Sequence, residues 1–270
     1  MGWLRLTRPA NSLGATALLL LGAGSPNEWS VTTLWAAFSL WAITVFGYVT
    51  NDLHDVPADR VNKPHRPIVS GLIHPSVAGK VAYLLGSIAL VAAAQVVWWG
   101  VAAAFGAMAA LWGYSTWAKR RPLLGNVLIG VLAGSALLAG GWLRGEMVLL
   151  FGPAVMVATF ITGREILKTA EDIPGDKIAG TRTVATQWGM AAAIKLYLVC
   201  LGLTVVLAVG LWPEHSPQAL FARGVWVGYL VALGLLCGRS PLPQAVRRGL
   251  RGTKVGYGVG LAALALTLSS

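Results

Sequence analysis

Residues 31–50, VTTLWAAFSLWAITVFGYVT, run for twenty positions without a charge, and residues 51–59, NDLHDVPAD, place three aspartates directly behind them. About 20 mostly apolar residues cross the hydrocarbon core of a bilayer as a helix, so this segment reads as a transmembrane span that ends on an acidic cluster. Eight further apolar stretches surround it, near 9–24, 77–97, 100–118, 123–143, 147–167, 190–212, 219–237 and 253–269. The expected fold is all-α, a polytopic membrane protein with nine transmembrane helices around a central cavity. Composition agrees: 56% of the chain is hydrophobic and 11% charged, against roughly 25% charged in soluble domains. The first stretch follows Arg5 and Arg8 and precedes small residues at 22–25, as in a cleaved signal peptide. The eight stretches behind it, and Pro9 as a good first helical residue, favour a retained span.

The chain has 21 Lys and Arg against ten Asp and Glu, a net charge of +11. In a nucleic-acid binder such a charge forms basic runs on a solvated domain, and no such domain remains once the apolar stretches are removed. When the loops are assigned alternately, the N-terminus and segments 51–76, 119–122, 164–189 and 238–254 share one side with nineteen of the basic residues once Lys80 and Lys195, just inside neighbouring spans, are included; only Arg144 and Arg223 fall opposite. The positive-inside rule makes the rich side cytoplasmic and, for nine spans, puts the C-terminus on the other side. Trp29, Trp98, Trp99, Trp142 and Trp212 lie at span ends, as interfacial anchors do. Cys200 and Cys237 both sit inside apolar stretches, so a disulfide framework, a Cys-based zinc site and an iron–sulfur cluster lack ligands, and both read as packing residues.

Seven of the ten carboxylates fall into two groups: Asp52, Asp55 and Asp59; and Glu165, Glu171, Asp172 and Asp176. The others, Glu28, Glu146 and Glu214, are spread over the opposite loops. Seven uncompensated carboxylates at helix depth would cost on the order of 20 kcal/mol. They are therefore either solvated at the membrane boundary or gathered around something cationic. Spacings of three and four residues put Asp52, Asp55 and Asp59 on one face of a continued helix beside Asn51, and Asp172 and Asp176 repeat the four-residue step. Like charges stacked in this way repel, which a purely structural role does not explain. Pro57 and Pro174 point instead to helix ends or breaks lining a cavity. Hard oxygen donors of this kind suit Mg2+ shared with a substrate phosphate. Without a Cys cluster or paired His motif, zinc and haem are disfavoured, and His54 reads as a boundary residue facing water.

Bases follow the acids closely. Arg60, Lys63 and Arg66 come after the first cluster, Lys177 and Arg182 after the second, and Lys119, Arg120 and Arg121 occupy the short loop between. Acids followed by bases fit a diphosphate held between metal ions and cationic side chains. For Arg120, Arg121 and the 239–254 cluster a topology signal accounts for the charge equally well. Asp59-Arg60-Val61 followed by Arg66 is echoed by Asp176-Lys177-Ile178 followed by Arg182, about 117 residues later. The echo suggests one domain over 1–270 built from two pseudo-repeated four-helix units, 9–118 and 123–237, plus a ninth helix.

Two motifs carry a family resemblance. Asn51-Asp52-Leu53-His54-Asp55-Val56-Pro57-Ala58-Asp59 resembles the first aspartate motif of the UbiA superfamily of intramembrane prenyltransferases, and Glu171-Asp172-Ile173-Pro174-Gly175-Asp176 its second. The likeness runs from Arg8-Pro9-Ala10-Asn11 to about Gly189. Within the superfamily, the segments 59–71, 122–126 and 164–168 are similar to the archaeal-type digeranylgeranylglyceryl phosphate synthases. Thr169 stands where that group commonly has an acid directly after the lysine.

The resemblance implies transfer of a geranylgeranyl-type group from an allylic diphosphate to a lipophilic acceptor, by Mg2+-assisted ionisation. Asn51, Asp55, Asp59, Asp172 and Asp176 would hold Mg2+, with Asp52 as a ligand or a partner of one. Lys63, Arg66, Lys119, Lys168 and Arg182 would hold the diphosphate. Arg8, Asn11 and Tyr114 would meet the acceptor, for which geranylgeranylglyceryl phosphate is the first expectation. An aromatic acceptor such as 4-hydroxybenzoate is the alternative, with Glu165 or Glu171 as the base that takes the ring proton. The expected partners are these substrates and membrane lipids, with no obligatory protein partner. A cation-coupled transporter is the rival from another class, but it wants its charges near the bilayer midplane, whereas both acid clusters fall at predicted cytoplasmic span ends.

Overall fold

The computed structural model describes residues 2–212 and 216–268; Glu214 and His215 lie outside the described residues. The chain forms helices α1 (Gly2–Thr7), α2 (Pro9–Gly22), α3 (Val31–His54), α4 (Val56–Asn62), α5 (Pro75–Ala94) and α6 (Gly100–Thr116). It continues through α7 (Leu124–Arg144), α8 (Phe151–Glu171), α9 (Ile173–Ile178), α10 (Val184–Leu211), α11 (Pro217–Gly238) and α12 (Leu242–Leu268). No strand occurs among the described residues.

Five of these helices, α3, α5, α7, α10 and α11, are long and apolar enough to cross a membrane. The remaining four expected spans coincide with helices that miss one criterion or the other. Helices α2 and α6 have 14 and 17 residues, while α8 carries Arg164, Glu165, Lys168 and Glu171, and α12 carries Arg247, Arg248, Arg251 and Lys254. Large apolar side chains face outward, with Val148 87%, Trp98 84% and Phe221 73% exposed. A surface of that kind is stable against lipid tails and not against water. The protein is an integral membrane protein.

Two boundaries differ from expectation. The basic segment 239–254 reads as a loop in sequence, yet α12 begins at Leu242. Ala245, Val246, Gly249 and Thr253 share a buried face while Arg247, Arg248 and Arg251 stay exposed, so the segment is an amphipathic helix whose apolar side is too small to register as a span. Helix α10 begins at Val184, where the Thr183 hydroxyl accepts from the Thr186 N–H. It is then interrupted at Gly189, whose φ of 86° suits glycine, so the uninterrupted part matches the expected 190–212 span. Trp212 is not an interfacial anchor: it is 6% exposed, donates to the Thr267 hydroxyl at 2.8 Å and packs on Trp226.

Packing divides into a large cluster on α7, α8 and α10–α12, containing Leu137, Phe160, Ile166, Tyr197 and Leu230, and smaller ones around α3, α5 and α6. Helix α2 packs on both α3 and α7. The two acidic segments share one local design. Helix α3 ends and α4 begins at Asp55, with φ −88° and ψ 0°, and α8 ends and α9 begins at Asp172, with φ −91° and ψ 3°. Pro57 and Pro174 occupy the first turns of the short helices, where the missing N–H needs no partner. The continuous acidic face expected over 51–59 is therefore broken at Asp55. Helix α4 lies directly on α9 because position 175 is glycine: a Cβ there would fall 2.3 Å from the Ala58 carbonyl oxygen.

Candidate active site

At the junction of α4 and α9, segments more than 100 residues apart in sequence are joined by hydrogen bonds. The Asn62 side chain donates to the Asp172 carbonyl oxygen at 2.8 Å and accepts from the Gly175 N–H at 2.9 Å. Lys63 reaches the Asp172 carboxylate at 2.6 Å. On the other flank, Lys119 pairs with Asp55, and Asn51 donates to Asp55 at 2.7 Å. Arg66 pairs with Asp59 and stands 3.0 Å from Asp52, whose same oxygen also receives Arg8.

Asn51, Asp55, Asp59, Asp172 and Asp176 line one pocket, together with Lys63, Arg66, Lys119 and Lys168. A second, mostly apolar chamber of about 860 Å³ lies beside the pocket, and Asn51, Tyr114, Glu165 and Lys168 line both. Arg8 and Asn11 line the chamber. Glu165 is tied to Arg164 at 2.7 Å and Lys168 at 3.1 Å. The structure keeps three expected residues away from the pocket wall. Asp52 is buried behind it, holding Arg8 and Arg66, while Glu171 and Arg182 are exposed and line neither cavity. Outside the site, His54 bonds the Thr50 carbonyl and Arg121 stacks on Trp117, as boundary residues do. Thr169 lines the pocket and turns its hydroxyl to the Ile166 carbonyl at 2.7 Å.

Sequence reasoning passed over Asn62, although it stands three residues after Asp59, on the same side of α4 as the acid. Lys254 also lines the chamber, although in sequence it stands as one more base of the 239–254 cluster.

The electrostatics are uneven. Burial raises the Asp55 carboxyl, but the Lys119 ammonium, Arg66 and the Asn51 amide outweigh it, leaving Asp55 below the usual carboxylate range. Burial pushes Asp59 up against the opposing pull of Arg66, helped by the like charge of Asp55. Asp176 goes further, to about 6, through burial and the nearby Asp172 and Asp55 charges, with Lys119 opposing. Among the described residues no group of three or more His, Cys, Asp and Glu converges closely enough to hold a metal ion, because most of the acids are turned onto bases. The donor set nonetheless fits Mg2+: the donors are carboxylate and amide oxygens, with no sulfur or imidazole. Five carboxylates and four cations already leave the pocket one negative charge in excess. An added diphosphate would make it strongly anionic, and divalent cations would restore balance.

The model of the UbiA prenyltransferase family matches residues 12–254. The chain belongs to this family. Among its relatives, the digeranylgeranylglyceryl phosphate synthase of Hyperthermus butylicus is 32% identical over 96% of this chain and 94% of that protein. The enzyme of the same name from Halobacterium salinarum is 33% identical over 86% and 82%. A solved structure of digeranylgeranylglyceryl phosphate synthase superposes with a TM-score of 0.74 at 25% identity, covering 99% of this chain and 98% of the other. A UbiA homologue from Archaeoglobus fulgidus bound to GPP and Mg2+ superposes at 0.74 with 19% identity, covering 98% of this chain and all of the other, and so shares the fold.

Proposed function

We propose that this UbiA-family protein transfers a geranylgeranyl-type group from its allylic diphosphate to geranylgeranylglyceryl phosphate, a step of ether-lipid synthesis. The observation that carries the reading is the meeting of two distant acidic segments at one base-lined pocket that shares a wall with a large apolar chamber. The relatives named digeranylgeranylglyceryl phosphate synthase, and the neighbour bound to GPP and Mg2+, support it.

Asn51, Asp55, Asp59, Asp172 and Asp176 would hold Mg2+, which supplies positive charge opposite the leaving diphosphate. Lys63, Arg66, Lys119 and Lys168 hold the diphosphate oxygens, and Asp52 fixes Arg8 and Arg66 from behind. As the allylic carbon–oxygen bond breaks, negative charge gathers on the diphosphate, and these fixed cations stabilise that state more than the ground state. The chamber takes the prenyl tail and keeps water from the allylic cation. The acceptor hydroxyl, presented by Arg8, Asn11 and Tyr114, attacks the allylic carbon, and its proton passes to the released diphosphate as the ether forms. The whole chain acts as one nine-span unit of two pseudo-repeated halves and a ninth helix, with the active site and N-terminus cytoplasmic. It works among membrane lipids without an obligatory protein partner.

An aromatic acceptor would need a base at the pocket. Glu165 stands there, but bound by two cations. Incubating the purified protein with Mg2+, radiolabelled geranylgeranyl diphosphate and a panel of acceptors decides between them. Label passing into a glyceryl phosphate ether lipid is the expected result, and label appearing only in 4-hydroxybenzoate overturns it.

A further inference from the structure

The chamber carries more positive charge than its role as a tail pocket needs. Arg8, Arg164, Lys168 and Lys254 line it, with Glu165 as the one carboxylate among its lining residues. Arg8 is engaged with Asp52, and its guanidinium lies over the Tyr48 ring at 4.9 Å. Arg164 and Lys168 share the single charge of Glu165, and Lys254 has no ion pair among the described residues. A hydrocarbon tail asks for no charge, and cations at the edge of an apolar cavity are costly unless an anion joins them.

The helices that carry these cations are tied together, although the Lys254 side chain is itself exposed at the chamber's edge. Three residues beyond Lys254, the Tyr257 hydroxyl donates to the Gly14 carbonyl at 2.9 Å and ties α12 to α2. Helix α8 brings Arg164 to the same chamber, half-buried, with one nitrogen on Glu165. A guanidinium has five N–H donors, so the others remain for an anion. Of the diphosphate pocket's four bases, Lys63, Arg66 and Lys119 stay outside the chamber and Lys168 lines both cavities.

We propose that Arg164 and Lys254 form a second anion site, separate from the diphosphate site, that binds the phosphate of a lipid acceptor whose chain lies in the chamber. This rests on the prenyl-transfer reading and names the residues that would select a phosphate-bearing acceptor over a neutral or aromatic one.

The test measures binding to the full-length protein in detergent, without Mg2+ or prenyl diphosphate. The probes are a single-chain glyceryl phosphate ether lipid and the uncharged monoalkylglycerol of the same chain. Wild-type protein is expected to prefer the phosphate lipid about tenfold or more, as for a charge-assisted contact. Lys254→Gln and Arg164→Gln should each lose most of that preference, and Lys254→Arg should keep it. A wild-type protein without the preference, a Lys254→Gln variant that retains it, or displacement of the lipid by equimolar 4-hydroxybenzoate would overturn the site. In parallel, Mg2+-dependent thermal stabilisation by a nonreactive geranylgeranyl diphosphate analogue should persist in Lys254→Gln, which establishes that the variant is folded. Its absence from wild-type protein would count against prenyl transfer, while the lipid arm still decides the phosphate site.

Discussion

The two acidic segments share a local design and differ in how they are neutralised. In the first, every aspartate meets a base: Asp52 takes Arg8 and Arg66, Asp55 takes Lys119, and Asp59 takes Arg66. In the second, Asp172 takes Lys63, borrowed from the first segment, while Asp176 has no ion pair among the described residues, is 4% exposed and is pushed up to about 6. One arm is largely neutralised within the fold; the other leaves a buried carboxylate without a base among the described residues. On the proposed Mg2+ reading, the first arm mainly sets geometry and the second is where added metal changes the energy most.

The largest effect tests whether both arms serve one centre. Asp55→Asn and Asp172→Asn should each lower prenyl transfer about 10²- to 10³-fold, with folded protein still extracted. Near-normal initial rates in both variants would dissolve the shared site. Removal of Mg2+ comes next. A nonreactive prenyl diphosphate at 100 times its Kd should stabilise the protein by about 2.7 kcal/mol when Mg2+ is present, and chelation should abolish that shift. A shift that survives chelation would leave the bases alone as the diphosphate site.

A smaller change tests the bridge between the arms. Asn62→Ala removes both hydrogen bonds to the second segment. It should raise the Mg2+ concentration for half-maximal activity about tenfold; an unchanged Mg2+ titration would show that Lys63 and Gly175 suffice.

The asymmetry in charge should also appear as a pH dependence. Because the Asp176 carboxyl is raised from its ordinary 3.8 to about 6, the folded state binds that proton more tightly than the unfolded state does. Its contribution is therefore fully present below about 4 and lost as pH rises through about 6. Metal-free thermal melts should show this loss in wild-type protein and a flatter profile in Asp176→Asn. An identical profile in the two would locate the titration elsewhere. The smallest effects are expected at Glu171→Gln and Arg182→Gln, exposed residues away from the pocket, with turnover within about twofold of wild type.

Much of the site was legible in sequence because its residues announce themselves locally. Four-residue spacing singled out Asp55, Asp59, Asp172 and Asp176, and Pro57 and Pro174 marked the two helix breaks that the structure places at Asp55 and Asp172. What escaped was carried by contacts between distant segments. Asn62 looks like any polar residue after an acidic motif until its amide is found on the backbone of 172–175. Lys254 looks like a topology signal until α12 swings it to the chamber. Glu171 and Arg182 stand beside site residues in sequence, yet Glu171 at the end of α8 and Arg182 beyond α9 are both exposed. The start of α12 was missed because its buried face is made of Ala245, Val246, Gly249 and Thr253, too small to stand out by hydropathy.

The amino-acid order alone determined that this chain is helical and membrane-embedded, and it marked Asp55, Asp59, Asp172 and Asp176, with Lys63, Arg66 and Lys119, as the charged groups that the structure gathers at one pocket. Helix formation, insertion and the breaks at proline depend on the nearest few residues and on the lipid around them. Only the tertiary structure decided which base faces which acid, which carboxylate is left over, and that the acidic pocket and the apolar chamber share a wall. Those outcomes depend on distances of a few ångströms between segments a hundred residues apart. Such distances are set by helix packing, as where the glycine at 175 lets α9 rest on α4.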